Sequence, residues 1–169
     1  IGTQHGGILV DFNAVKGGIE IIPLDNDWQK AAHVYSDEVL ISHRTDAEKG
    51  TPKFERGKSL SDYQCEMIYI SGTAAIRGEE SIVTGDVLVQ TEITLENIQH
   101  LIGLEEGREK LPEHSGKLEL LRVYLKHEED AKIVKEDMDK LCPDVPIVYL
   151  YADVCREELL VEIEGIAYL

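Results

Sequence analysis

Two carboxylates near the end of the chain are spaced for acid–base chemistry. Glu162 and Glu164 alternate with apolar residues in a run that predicts a β-strand, so both project from the same strand face. Residues two apart on a strand are separated by roughly 7 Å. A buried carboxyl group next to another acid keeps its proton to higher pH and can serve as a general acid or base. The alternative is a pair of solvated strand carboxylates.

Two arginines and one cysteine are further candidates for binding a ligand. Arg56 and Arg156 could grip a carboxylate, because the guanidinium fork matches that group in a bidentate manner; the alternative for each is a surface salt bridge. Cys155 could line a site or act as a nucleophile. A lone cysteine more often behaves as a small apolar residue, so we predict that it lines the site without covalent chemistry.

The dipeptide Gly72-Thr73 follows a β-type run and predicts a turn whose backbone amides and hydroxyl face a ligand. The alternative is a plain turn that ends the strand. The sequence contains no CxxC or HExxH motif, and its six histidines lack metal-ligand spacing. We therefore expect no metal and no organic cofactor.

These residues need a scaffold, and the pattern from Glu66 onward predicts β-α-β-α-β-β. The strands are expected at 67–70, 117–126, 146–152 and 160–167. One helix should start after Thr84-Gly85-Asp86 and end at Gly103; a second should bury Ala131, Val134, Met138 and Leu141. In the first helix we expect the core positions Val87, Thr91, Leu95, Ile98, Leu101 and Ile102, with Gln90, Glu92, Glu96 and Gln99 pointing away. The fold class is α+β, a mixed β-sheet with two helices packed on one face.

The other sheet face should carry leucine, isoleucine and tyrosine residues beside the carboxylates, because Leu160 and Ile166 share a strand face with Glu162 and Glu164. Such a face is too apolar to be stable in water alone. Association of identical subunits is the simplest way to cover it.

Residues 1–62 show the weakest pattern and are expected to form N-terminal strands and a leader loop. A strand pair is predicted at 8–10 and 19–22, followed by a charged loop over 43–58. Residues 63–169 form the main domain, and the first 62 residues are either separate from it or part of it. The chain begins at Ile1 rather than Met, which we interpret as a piece of a longer protein.

Composition narrows the class of partner. The chain has 33 acidic and 17 basic residues, a formal net charge of -16, which disfavours nucleic acid and anionic membranes as partners. It contains neither a transmembrane-length apolar run nor a signal peptide. Three cysteines are too few for a disulfide framework, so we expect reduced thiols and a cytoplasmic location.

Several motifs together resemble the RidA/YjgF superfamily. They are Tyr69-Ile-Ser-Gly-Thr-Ala-Ala, Gly85-Asp-Val-x-x-Gln90-Thr-x-x-x-Leu-x-Asn97-Ile, and the closing run Val161-Glu-Ile-Glu-Gly-Ile-Ala. The match covers about residues 66–169. The resemblance implies a chorismate-mutase-like fold and a homotrimer with ligand clefts between subunits. Lys135 lies near the start of the second predicted helix, where family members often place a pocket residue; a solvated helix lysine is the alternative.

Further motifs resemble the chorismatase-like branch, and in particular the C-terminal half of its members. They are Pro52-x-Phe54-x-Arg56, Gly72-Thr-Ala-x-Ile76-x-Gly78-x-Glu80-Ser81, and Ala152-Asp-Val-Cys155-Arg156-x-x-Leu159-x-Val161-Glu162. The resemblance implies that Glu162 is the general acid and that Cys155 lies in the pocket. The chain departs from that branch at Arg77 and Glu79, where a small apolar residue and a histidine are expected. It departs from the imine deaminases at Ile147, where they carry an arginine.

We therefore expect a hydrolase-like enzyme that acts on a small carboxylated metabolite by chorismatase-like cleavage of an enol ether. One alternative is an enamine or imine deaminase, which the missing arginine disfavours; another is a non-catalytic ligand-binding or structural trimer. Family labels such as translation initiation inhibitor and L-PSP endoribonuclease fit poorly, because the net charge is -16 and no basic–aromatic stripe is present.

Overall fold

The computed structural model describes residues 10, 12–40, 50–62, 65–103 and 117–168. Its main strands are β1 (Glu20–Leu24), β2 (Gly57–Ser61), β3 (Glu66–Thr73), β6 (Lys117–Leu125), β7 (Ile147–Tyr151) and β8 (Val161–Tyr168). Two short strands, β4 (Ile76–Arg77) and β5 (Glu80–Ser81), form a separate hairpin. The α-helices are α1 (Val87–Leu101) and α2 (Ala131–Leu141), and single 3₁₀ turns occupy Ala32–Val34 and Glu128–Asp130.

Six strands form one mixed sheet in the order β1-β2-β3-β8-β6-β7. The β6–β7 pair is parallel, and the other neighbours are antiparallel. Both helices cover one sheet face, where alternate strand residues pack against apolar residues of α1 and α2 to form the main core. The predicted α+β fold with two helices on one face is confirmed.

Helix α1 begins where its sequence chemistry predicts. The Asp86 side chain accepts hydrogen bonds from the backbone N–H groups of Leu88 and Val89 at 2.9 and 3.4 Å. Gly103, with φ of +73°, follows the helix end in the left-handed conformation. The prediction that Gln90 points away is wrong. Gln90 is fully buried, because its side chain hydrogen-bonds the backbone N–H of Leu160 and the carbonyl of Glu158.

Two other local predictions need correction. Leu141 at the end of α2 is 46% exposed rather than buried, and the next residue, Cys142, packs into the main core in its place. The charged stretch 43–58 was predicted as a loop, yet Gly57 and Lys58 already belong to β2. Strand β1 pairs with β2; the predicted partner run 8–10 lies mostly outside the described residues.

The sheet face opposite the helices, which we call the open face, carries apolar and acidic side chains together. Val148 and Leu150 on β7 are exposed, and by strand alternation they share this face with Glu162 and Glu164. Tyr149 does not contribute to it, since it packs against the main core on the helix side. Among the described helices, none has the length and apolarity needed to cross a membrane.

Candidate active site

Glu162 lies on β8 at a point where the neighbouring strand is irregular. The pairing of β3 with β8 shifts register between Ile70 and Thr73, and Gly72 falls within this bulge. A Cβ atom built on Gly72 would overlap Oε1 of Glu162 and lie 3.1 Å from its Cδ. The missing side chain at Gly72 therefore provides the space that the Glu162 carboxyl group occupies.

The surroundings of Glu162 favour its protonated form. Burial, with a smaller contribution from the negative charge of Glu164, raises the pKa of the Glu162 carboxyl above its ordinary value. A carboxyl group with a raised pKa keeps its proton to higher pH than an ordinary glutamate and can serve as a general acid.

Glu164, two residues away on the same face, has a different environment. Its Oε1 accepts hydrogen bonds from Arg122 Nη1 at 2.8 Å and from the Tyr124 hydroxyl at 2.7 Å. Burial and this carboxylate together raise the pKa of Tyr124 to about 12. The structure therefore gives the two carboxylates different partners: Glu164 pairs with Arg122, whereas Glu162 forms no ion pair with any of the described residues.

Arg56 is buried immediately before β2. Its Nη2 donates to the Lys30 carbonyl and to the Tyr35 hydroxyl, both at 2.5 Å. The guanidinium lies over the rings of Phe54 and Tyr35, at 5.1 and 5.7 Å from their centroids. Its Nε is buried and has no hydrogen-bond partner in the described chain.

Arg156, between β7 and β8, reaches the same tyrosine. Its guanidinium lies 5.6 Å from the Tyr35 ring centroid, and its Nη1 donates to the carbonyl of Glu79 and to the Ser81 hydroxyl, both at 2.9 Å. We call Arg56, Arg156 and Tyr35 the arginine cluster. Both arginines are more than nine-tenths buried, and within the described chain neither forms an ion pair. They are therefore not surface salt bridges.

Cys155, which is partly exposed in the single chain, lies within electrostatic range of both Glu162 and Arg156. Burial raises the pKa of the Cys155 thiol, and the nearby Glu162 carboxylate raises it further. The thiol therefore stays protonated, as expected for a residue that lines a site and not for an activated nucleophile. A second connection runs through β3, where the backbone N–H of Ser71, next to Gly72, donates to the carbonyl of Arg56 at 3.1 Å.

The structure does not bring Thr73 and Lys135 into this group. The Thr73 hydroxyl is buried and accepts a hydrogen bond from Gln29 Nε2 at 3.0 Å, so it is already occupied within the chain. Lys135 is exposed on α2, in the helix layer, whereas Glu162 lies on the opposite side of the sheet.

Sequence reasoning missed two residues that complete the site. Tyr35 lies in the irregular segment between β1 and β2, where no periodicity marks a buried residue. Glu79 was noted only as a departure from a family pattern. Its carboxylate accepts hydrogen bonds from the Ser36 N–H at 2.7 Å and from Lys30 Nζ at 2.9 Å, and these contacts lower its pKa to about 2.

The described residues contain no group of three or more His, Cys, Asp or Glu side chains arranged to hold a metal ion. The candidate site therefore consists of one carboxyl group with a raised pKa, a small thiol and two buried guanidinium groups.

Comparison with known proteins gives relatives of a consistent kind. No protein-family model matches the chain. A chorismatase from Streptomyces rapamycinicus is 33% identical over 174 residues, which cover 98% of this chain and 49% of the relative. A 3-hydroxybenzoate synthase from Streptomyces hygroscopicus is 32% identical over 179 residues, covering 98% and 48%. The chain thus spans about half the length of these curated relatives.

Solved structures agree with the fold. A chorismatase crystal structure superposes with a TM-score of 0.71 at 29% identity, over 87% of this chain and 43% of that one. The YjgF gene product of E. coli superposes with a TM-score of 0.57 at 17% identity, over 86% of this chain and 97% of that one. The second match supports the fold alone.

Proposed function

The chain is a member of the RidA/YjgF-like superfamily placed near the chorismatases, and from that premise we propose that it cleaves the enolpyruvyl ether of chorismate. The observation that carries the proposal is the Glu162 carboxyl group, which lies against Gly72 with its pKa raised by burial. A protonated carboxyl is the group that an enol ether requires, because the ether is activated by protonation at carbon.

In the proposed reaction the Glu162 proton passes to the terminal vinyl carbon of the enolpyruvyl group. The adjacent carbon becomes an oxocarbenium ion, and the Glu162 carboxylate left behind stabilises its positive charge. Water adds to this carbon, the resulting hemiketal collapses, and pyruvate and the ring alcohol are released while a proton returns to Glu162. If the ring instead becomes aromatic, it loses one molecule of water overall, which balances the water consumed in releasing pyruvate, and the second product is an aromatic hydroxy acid.

The arginine cluster is proposed to hold the carboxylate groups of the substrate. Two buried guanidinium groups that form no ion pair within the described chain attract an anion, even though the protein as a whole is acidic and Glu158 lies within electrostatic range of Arg156. The Nε of Arg56 is a buried donor that a substrate carboxylate would satisfy. Gly72 and Cys155 would border the reacting group.

We also propose that the working form is a homotrimer with clefts between subunits. The open face exposes Val148 and Leu150 beside Glu162 and Glu164, and a second copy of the chain would cover this apolar area. The cleft at Glu162 would then be closed by a neighbouring subunit, which would exclude water from the carboxyl group.

The test is incubation of the purified chain with chorismate, with pyruvate release followed over time and the second product identified. Pyruvate with a non-aromatic diol supports hydrolysis, and pyruvate with 3-hydroxybenzoate supports the rearranging route. Absence of pyruvate would reject chorismate cleavage. Ammonia release from an amino-acid-derived imine would then favour the deaminase alternative, although the hydrocarbon side chain of Ile147, which packs against the main core, cannot bind a substrate carboxylate as an arginine would.

A further inference from the structure

Glu79 is connected to both arginines of the arginine cluster, to one through its backbone carbonyl and to the other through its carboxylate. Its backbone carbonyl accepts a hydrogen bond from Arg156 Nη1 at 2.9 Å. Its carboxylate accepts from the Ser36 N–H at 2.7 Å and from Lys30 Nζ at 2.9 Å. One residue in the β4–β5 hairpin thus contacts Arg156 directly and holds the segment 30–36.

That segment supplies the partners of the other arginine. The Lys30 carbonyl and the Tyr35 hydroxyl both accept hydrogen bonds from Arg56 Nη2. The Tyr35 ring also lies within 6 Å of both guanidinium carbons, at 5.7 Å from Arg56 and 5.6 Å from Arg156. Because the Glu79 contacts lie at both ends of the segment, they fix the two acceptors and the ring between the guanidiniums.

In the described part of the chain, the segment makes few other contacts. Ala32 and Tyr35 pack with Leu40, and partly with Val39, in a small apolar cluster. Two further backbone hydrogen bonds, from Lys30 N–H to the Gly78 carbonyl and from Gly78 N–H to the Trp28 carbonyl, reach the same hairpin, both at 2.8 Å. The β4–β5 hairpin therefore supports the segment 30–36, and Glu79 provides the charged contact between them.

We propose that Glu79 is a positioning residue that sets the geometry of Arg56 and Arg156 for a substrate carboxylate. This rests on the proposed function, in which the arginine cluster binds the carboxylate groups of chorismate. Charge-assisted hydrogen bonds to a backbone N–H and to an ammonium are strong enough to fix a segment. Loss of the Glu79 carboxylate would leave both guanidiniums present but no longer aligned.

The experiment compares Glu79→Ala, Glu79→Gln and Glu79→Asp with the control Glu80→Ala, an exposed neighbour in the same hairpin. Two quantities are measured: KM and kcat for chorismate, and the dissociation constant for 3-hydroxybenzoate by titration calorimetry. Glu79→Ala should raise KM and the dissociation constant roughly 10-fold to 100-fold, as expected when charge-assisted bonds no longer support the binding groups, with kcat close to the wild-type value. For Glu79→Gln, KM and the dissociation constant should lie between the values for the wild type and for Glu79→Ala. Glu79→Asp should recover part of the lost affinity.

Wild-type binding in Glu79→Ala would overturn the proposal, as would equal weakening in Glu80→Ala. Parallel loss of kcat and thermal stability with no recovery in Glu79→Asp would also overturn it, since that is the signature of a merely structural role. If Glu79→Ala does not fold, Glu79→Gln decides, because its amide oxygen still accepts from Ser36. If the wild type binds 3-hydroxybenzoate but releases no pyruvate, the proposed function fails while the binding data still judge Glu79. If the wild type neither binds 3-hydroxybenzoate nor releases pyruvate from chorismate, the proposed function and the proposal for Glu79 both fail.

Discussion

Glu162 and Glu164 show how two identical side chains on one strand face come to differ. Glu164 is held by Arg122 and the Tyr124 hydroxyl, whereas the Glu162 carboxyl lies over Gly72 beside the Cys155 thiol. Burial disfavours the charged form, so the pKa of Glu162 is raised. In other carboxylate pairs, too, different environments keep one group protonated as a general acid and the other ionised.

This difference predicts the pH dependence of the reaction. An acid must be protonated in the free enzyme, so kcat/KM for chorismate should be highest below the pKa of Glu162 and fall as pH rises through it. Because burial raises that pKa above the ordinary glutamate value of 4.5, the fall should lie above pH 4.5. A profile of initial rates against pH measures it. A rate that increases with pH across this range would indicate a base instead.

At this scale the sequence predicted part of the site. Glu162, Gly72, Cys155 and the two arginines are predicted from their residue types and motifs. The structure places Gly72 against the Glu162 carboxyl group and brings Arg56 and Arg156 to the same Tyr35 ring, and their shared role in one site stays a prediction. Tyr35 could not be found, because no periodic pattern marks buried residues in an irregular segment, and Glu79 was noted only as a departure from a family pattern. Gln90 was misjudged because a polar residue on a helix is usually solvated, whereas here it satisfies the backbone near Leu160.

Among the structural elements, the bulge in β3 determines how the Glu162 carboxyl is held. Gly72 lies within it, and the atom that a Cβ would meet there is the end of a flexible side chain. Gly165 on β8 contrasts with it. A Cβ at Gly165 would lie 2.6 Å from the Leu120 carbonyl oxygen and 2.7 Å from Leu121 Cδ2, in the interior of the sheet.

These contacts predict that Gly72→Ala affects mainly activity, whereas Gly165→Ala affects mainly stability. Gly72→Ala should change the free energy of unfolding by less than about 1 kcal/mol but lower kcat/KM more than about 100-fold, because the general acid is displaced. Gly165→Ala should cost about 3 kcal/mol, because the backbone of β6 cannot move aside. Urea unfolding measures the free energy of unfolding of each variant, and the pyruvate assay measures its kcat/KM. Full activity in Gly72→Ala would show that the position of the Glu162 carboxyl is unimportant.

The elements themselves were largely predictable from residue 66 onward, because apolar periodicity and helix-capping residues agree with one another there. The β2 strand was not, since its alternation is short and follows a run of charged residues. Pairing of β1 with β2 joins residues distant in sequence, which a local pattern does not reveal.

Over the whole molecule, the open face is the feature that a single chain leaves unexplained. It combines exposed Val148 and Leu150 with half-buried Ile166 and the two carboxylates. Burial of apolar area drives association at about 25 cal/mol per Å², so identical subunits would gain stability by packing here.

The trimer proposal predicts the behaviour of a charged variant. Light scattering after gel filtration should give about three times the 18.9 kDa mass of one chain. Leu150→Glu should dissociate it, because a carboxylate would be buried in an apolar interface, while exposed Glu92→Gln on α1 should leave the mass unchanged. A wild-type monomer would contradict the proposal.

The central claim is that Glu162 supplies the proton for cleavage, and the measurement that tests it most directly is pyruvate release from chorismate by Glu162→Gln. Glutamine has nearly the same shape but cannot donate that proton, so the rate should fall about 100-fold to 10,000-fold below wild type. The control Glu92→Gln should keep the wild-type rate. Wild-type pyruvate release by Glu162→Gln would contradict the account.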